Sequence, residues 1–318
     1  MSEGLREYAE TNKILEIKCG SHLYGTDTPD SDKDYVGVFM PPKEYVLGYR
    51  QVKEVTSNIV SKNEFGRNTS EAVDKKLYEF RHFCNLAMNN NPTILEILFV
   101  NRDNILFSSV EGDTLLANRF LFPSQLMAKG YLGYAKQQKH KMVIRSNKFN
   151  ELEAGLKALE SMNDKEVMAD VILKFPDIFE NRKGDKKLIW CGDLQIERGI
   201  FVKKARKIIS QRIGSATSRK ELIRKHGYDC KFASHLIRLL TEGLEFIKTG
   251  ELQFPLYNSE LLTEIKTGRY TVNQILSMAD NYESEYDKAL ANTKLPKTPN
   301  SKTIEEFVVN SMYNHITK

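Results

Sequence analysis

Apolar and polar positions change rhythm several times along the chain. Ile14-Leu-Glu-Ile-Lys-Cys19 has strand character and runs into Gly20-Ser21. A polar, turn-rich stretch follows from Thr26 to Ser31. Asp32-Lys-Asp-Tyr-Val-Gly-Val-Phe39 then alternates and carries β-branched residues, which predicts a second strand ended by Pro41-Pro42. Residues 50–70 are polar and read as a loop with a short strand around Gln51 to Thr56. Leu77, Phe80, Cys84 and Ala87 share one face at helical spacing, so an amphipathic helix is expected over Leu77 to Met88. Asn89 to Pro92 is a turn, and the strongly apolar Thr93 to Phe99 reads as a short buried helix.

Further on the pattern becomes helical. Ser124 to Val143 and Phe149 to Asp170 have helix composition. Lys186 to Ile196 reads either as a hairpin about Cys191-Gly192 or as a loop insertion. Phe201 to Ile213 predicts a basic helix. Tyr228 to Thr249 predicts another, closed by Gly250 just past its end. Thr271-x-x-Gln274 is a capping box opening a helix to about Ala291, and Thr303-x-x-Glu306 caps a last one after the linker Leu295 to Asn300. The expected fold is therefore α/β (α+β). Residues 1–115 form a mixed domain, and residues 116–318 a mostly helical one with a basic insertion near 145–225.

Composition narrows the class. The 318 residues, 41% of them apolar, suffice for one large globular unit or two domains. The net charge of +5 is mildly basic, and its distribution matters more than its sum. Cys19, Cys84, Cys191 and Cys230 lack paired spacing, so they read as reduced, partly buried thiols rather than a zinc or disulfide framework. Met1 to Asn12 is polar and acidic, unlike a signal peptide, and no apolar run approaches the ~20 residues of a membrane span. A cytoplasmic protein is expected.

The stretch from Gly20 to Asp34 carries the chemistry. Asp32 and Asp34 stand two apart at a strand start, so their side chains share one face. Two carboxylates so placed repel each other unless cations intervene, and hard oxygen ligands favour Mg²⁺ or Mn²⁺. Gly20 lets the backbone approach a ligand, and Ser21 with the following N–H groups can hold phosphate oxygens. Each piece alone is commonplace: Asp-x-Asp is usually a solvated turn, and Asp27 and Asp30 are simply turn formers beside Pro29. Their ordered combination is what points to a metal–nucleotide site.

The same stretch resembles the hallmark of the DNA polymerase β nucleotidyltransferase superfamily, an apolar strand, Gly-Ser, then Asp-x-Asp. Much of the chain, from about residue 13 to 300, is similar to a bacterial and phage family of predicted nucleotidyltransferases. The matching pieces are Gly-Ser-His-Leu-Tyr-Gly-Thr near residue 20, Pro-Asp-Ser-Asp-Lys-Asp-Tyr-Val-Gly-Val near 34, Asn-Pro-Thr-Ile-Leu-Glu-Ile-Leu near 94, Tyr-Leu-Gly-Tyr-Ala near 133 and Lys-Phe-Ala-Ser-His-Leu-Ile-Arg-Leu-Leu near 235. The resemblance implies a small mixed sheet flanked by helices and a third carboxylate on a neighbouring strand. Asp74 is the matching position and Glu71 its competitor. Lys75 and Lys76 depart from a typical strand there, and Asp74 also reads as a helix cap ahead of Leu77. Glu96 is a weaker candidate, on an exposed face or buried with a partner.

Two cationic features complete the picture. Lys231, His235 and Arg238, spaced four and three, share a helix face able to hold triphosphate, or else form a solvated face with a core histidine. Phe201 to Lys225 holds nine Lys or Arg and one acid. Lys203, Lys204, Arg206, Lys207, Arg212, Arg219 and Lys220 there either track a nucleic-acid backbone or form a solvated basic face. The expected activity is two-metal-ion transfer of an NMP from an NTP to a hydroxyl acceptor, RNA or tRNA among them, with release of pyrophosphate. The alternative is a non-catalytic nucleotide- or RNA-binding regulator, antitoxin-like or a sensor.

Overall fold

The computed structural model describes residues 3–29, 31–61, 69–181, 187–214, 223 and 225–318, side chains at 144–146 excepted. It is mixed α+β. The chain opens with α1 (Glu3–Thr11), β1 (Lys13–Cys19), α2 (Ser21–Tyr24), β2 (Lys33–Phe39), α3 (Lys43–Leu47), β3 (Glu54–Ile59) and β4 (Val73–Glu79). It continues with α4 (Phe80–Met88), α5 (Pro92–Leu98), β5 (Ile105–Ser108), α6 (Val110–Ala117) and α7 (Leu126–Glu160). After α8 (Met168–Lys174), β6 (Leu188–Cys191) and β7 (Leu194–Glu197) come α9 (Val202–Gly214), α10 (Cys230–Thr249), α11 (Ser259–Lys266), α12 (Val272–Asn292) and α13 (Ser301–Thr317).

The chain forms two compact units. The first comprises residues 1–136, 235–264 and 275–318, the second residues 137–234 and 265–274. The first unit holds a five-stranded sheet in the order β3-β4-β2-β1-β5, in which β2 and β4 run parallel and the other pairs antiparallel. One sheet face packs Phe39, Val55 and Leu77 against Ala9 of α1. The second unit has its own core, built from Phe149, Leu152, Leu159, Val171, Phe179, Ile196 and Ile209 among others. Its β6–β7 hairpin turns at Gly192, which has φ 60. No described helix is long and apolar enough to cross a membrane.

Several expected boundaries shift. Leu77 lies within strand β4 rather than starting a helix, and α4 begins at Phe80 with Glu79 as its cap. Two lysines sit inside β4 because acids from elsewhere neutralise them: Lys75 lies 2.6 Å from both Glu10 and Glu16, and Lys76 lies 3.1 Å from Glu54. The short strand near residue 54 is displaced to Glu54–Ile59. The two helices expected before residue 170 are one continuous α7, followed by α8. The Thr271–Gln274 capping box forms in both directions. The last helix starts earlier than expected, because Asn300 rather than Thr303 is its cap and accepts the Thr303 N–H at 3.2 Å.

Candidate active site

Strand register gathers the acids. Asp34 stands opposite Asp74 across the parallel β2–β4 pair, and Cys19 stands opposite Asp34 on β1. Side chains alternate along a strand. Asp34 and Val36 therefore share a face with Asp74, Lys76 and Tyr78 of β4 and with Thr56 and Asn58 of β3. These residues, with Gly20, Tyr24 and Glu96, line a cavity of about 460 Å³. Asp32 immediately precedes β2. One ligand atom from each of Asp32, Asp34 and Asp74 lies within 4.8 Å of the other two. Glu71, the competing position, is exposed and outside this cluster.

The three acids crowd one another. The Asp34 carboxyl is pushed up to about 6, first by burial and then by the neighbouring Asp32 and Asp74, with His22 pulling the other way. His22 itself lies 3.3 Å from Asp27. Three oxygen donors, one of them held towards its neutral form by burial and by its two acidic neighbours, suit a hard divalent cation. Gly20 is required beside them. Its backbone has φ 65 and ψ −144, and a Cβ there would overlap the Asp34 carboxylate. Ser21 follows as the first residue of α2, which ends at Gly25 in the left-handed conformation.

Behind the cavity wall lies a buried charge network. Tyr24 donates to Glu96 Oε2 at 2.6 Å, and Arg238 donates to Glu96 Oε1 at 2.8 Å and to Glu242 at 2.9 Å. The Arg238 guanidinium also lies 4.1 Å from the Tyr24 ring centroid. With one cation among two buried acids, burial holds the Glu242 carboxyl well above its ordinary range, against the pull of Arg238. Glu96 is thus the carboxylate buried with a partner.

Of the cationic trio expected on one helix face, Arg238 is committed to this network and His235 packs edge-on against Tyr134 at 5.2 Å. Neither lines the acid cavity. Lys231 is exposed and belongs to the second unit. The cavity instead contains a cation that sequence reasoning missed, Lys76, together with Tyr78, Thr56 and Asn58. Reading residues 73–79 as a strand would have found Lys76 and Tyr78 by their spacing from Asp74.

The basic segment divides in two. Lys203, Lys204 and Lys207 are exposed on α9, whereas Arg206 binds Asp164 and the carbonyls of Leu159 and Met162. Arg212 pairs with Asp193. Arg219 and Lys220 lie outside the described residues.

Residues 3–159 match the model of the RNA repair pathway DNA polymerase beta family, just under half of the chain. The N-terminal half is thus of the DNA polymerase β nucleotidyltransferase type, as its Gly-Ser and Asp-x-Asp motifs implied. An uncharacterized 38.9 kDa protein from the nrdC-mobD intergenic region of Enterobacteria phage T4 is 26% identical over 310 residues, covering 88% of this chain and 91% of its own. A solved nucleotidyltransferase-like protein from Exiguobacterium sibiricum 255-15 aligns with 98% of this chain and 71% of its own at 9% identity, with a TM-score of 0.26. That overlap is too slight for a comparison of the two folds.

Proposed function

We propose that this chain transfers an NMP from an NTP to a hydroxyl of an RNA acceptor, with residues 1–115 as the catalytic domain. A bond forms between the acceptor oxygen and the α-phosphorus, the bond to the β-phosphate bridge breaks, and pyrophosphate leaves. The observation that carries this reading is the meeting of Asp32, Asp34 and Asp74 beside one cavity. A set of carboxylate oxygens alone, with Asp34 pushed up by burial and by its acidic neighbours, fits Mg²⁺ or Mn²⁺. Two such ions held there would supply Lewis-acid charge to the triphosphate and to the acceptor hydroxyl.

The remaining work falls to side chains and backbone. The Gly20–Ser21 turn admits phosphate oxygens close to the main chain, and Lys76 adds positive charge on the same sheet face. Arg238 acts indirectly, holding Glu96 and through it Tyr24 of α2, so that the turn keeps its place. Support for an RNA acceptor comes from the description of the matched family and from the exposed Lys203, Lys204 and Lys207.

The test is incubation with α-labelled NTPs, Mg²⁺ and separate pools of RNA, protein and metabolites. Label is expected in RNA. Asp32→Ala, Asp34→Ala and Asp74→Ala should each lower incorporation by more than about a hundredfold, since even outer-shell changes at metal sites cost 10–100-fold. Wild-type rates in these variants would overturn the assignment of the acids, and label in another pool would overturn the acceptor.

A further inference from the structure

Strand register extends the acid cluster by one more residue. Across the sheet, Cys19, Asp34, Asp74 and Asn58 stand in one row on β1, β2, β4 and β3. β3 is the outer strand, so Asn58 closes the row at an open sheet edge. Asn58 and Asp74 are both exposed and both line the acid cavity. Residues directly opposed on antiparallel strands hold their Cβ atoms about 4.5–5.5 Å apart, so the Asn58 amide lies beside whatever the Asp74 carboxylate holds. Among the described residues no hydrogen bond or ion pair engages the Asn58 side chain. The row also has a direction. The Gly20–Ser21 turn, where phosphate oxygens can approach the main chain, follows β1 at one end, and Asp74 stands two strands away from it.

With the triphosphate at the turn, the acceptor hydroxyl comes to the Asp74 side, and the atoms next to it come over Asn58. A primary amide suits one kind of neighbour there. It offers N–H donors and a carbonyl acceptor without charge, which matches a hydroxyl, itself donor and acceptor. A cationic side chain would pair with Asp74, and a further acid would add to the crowding of the cluster. Vicinal hydroxyl oxygens stand about one hydrogen-bond length apart, which fits the step from Asp74 to Asn58. We propose that Asn58 binds a hydroxyl vicinal to the attacking one, so that the acceptor is a cis-diol, as in the ribose of an RNA end or of a free ribonucleotide. Protein hydroxyls and DNA ends lack that second hydroxyl. The inference rests on the nucleotidyl-transfer reading and deepens it, naming the acceptor's chemistry and a residue that selects it.

The experiment measures kcat/KM of the full chain for transfer of label from α-labelled NTPs, in Mg²⁺, to an RNA ending in an intact ribose. Beside it run the same RNA lacking the 2′- or the 3′-hydroxyl of that ribose; the form that still accepts label lacks only the vicinal group. The wild type is expected to favour the intact end by about five- to tenfold, the worth of one neutral hydrogen bond. Asn58→Ala should lower kcat/KM on the intact end by that factor and leave the truncated end unchanged. Ile59→Ala is the control for β3 itself. Ile59 is 61% exposed and, one residue on, faces the other side of the sheet, so this variant should keep the preference. A free ribonucleoside 5′-monophosphate, run as acceptor beside the RNA, shows whether the diol belongs to a chain end or to a small molecule. Equal use of intact and truncated ends by the wild type, an unchanged preference in Asn58→Ala, its loss in Ile59→Ala, or an effect of Asn58→Ala on the choice between NTP and 2′-deoxy-NTP donors would each overturn the proposal. No transfer to any acceptor would overturn the transferase reading itself, and this inference with it.

Discussion

Asp34→Asn should make the metal-free protein more stable while removing its response to divalent cations. The Asp34 carboxyl is raised from its ordinary 3.8 to about 6 by burial and by Asp32 and Asp74. The folded state therefore holds the proton more tightly than the unfolded state between those two values. Stability falls as pH rises through that window and the loss is complete above it. At full strength the shift is worth roughly 3 kcal/mol. Asp34 is only half-buried, and solvent screening reduces this to about 1–2 kcal/mol. Asparagine keeps the shape and removes the charge, so the variant should melt about 2–8 °C higher than wild type in EDTA at pH 7.5. The gain should shrink steadily as pH falls from about 6 to 4, because the folded wild-type acid takes up its proton over that window. Saturating Mg²⁺ or Mn²⁺ should stabilise the wild type by about 2.7 kcal/mol at a hundredfold excess over Kd, and the variant far less. The assay is a thermal melt of both proteins across pH 4–8, with EDTA and with cation. Equal or lower melting of the variant at pH 7.5 in EDTA, or equal stabilisation of both by cation, would refute the charge argument.

Gly20→Ala should destabilise by about 1–3 kcal/mol and lower activity together, since φ 65 is strained for alanine and its Cβ meets the Asp34 carboxylate; wild-type melting and turnover would contradict this. Arg238→Met strands Glu96 and Glu242 and should cost about 3–5 kcal/mol, read by denaturant titration, whereas Glu96→Gln should cost clearly less. Replacing Lys203, Lys204 and Lys207 together by alanine should flatten the salt slope of RNA binding by about 2, at roughly 0.7 per phosphate contact on a single strand, without changing stability. Arg206→Ala should do the reverse, because its guanidinium holds Asp164 and two carbonyls.

What could be read from the sequence follows the range of the interactions involved. Gly20-Ser21 and Asp32-x-Asp34 are local, and a two-residue spacing at a strand start already places both acids near one another. The strand carrying Asp74 was hidden. Lys75 and Lys76 look wrong for a strand until Glu10, 65 residues from Lys75, and Glu54, 22 residues from Lys76, are seen to hold them. Leu77 then fitted a helical spacing that begins three residues later, and the cap at Glu79 was overlooked with it. Arg238 shows the same limit. Its spacing from Lys231 and His235 is helical, yet its environment is set by Glu96, 142 residues away. The α10 helix with its Gly250 stop and the short buried α5 were legible, because periodicity and caps are written within a few residues, whereas the β6–β7 hairpin was one of two readings left open for Lys186 to Ile196.

The most direct measurement is anomalous diffraction from crystals grown with Mn²⁺ and a non-hydrolysable NTP analogue. Manganese peaks are expected within coordination distance of Asp32, Asp34 and Asp74, with the triphosphate reaching the Gly20–Ser21 turn. Manganese bound elsewhere, or a triphosphate seated away from those three carboxylates, would contradict nucleotidyl transfer at this site.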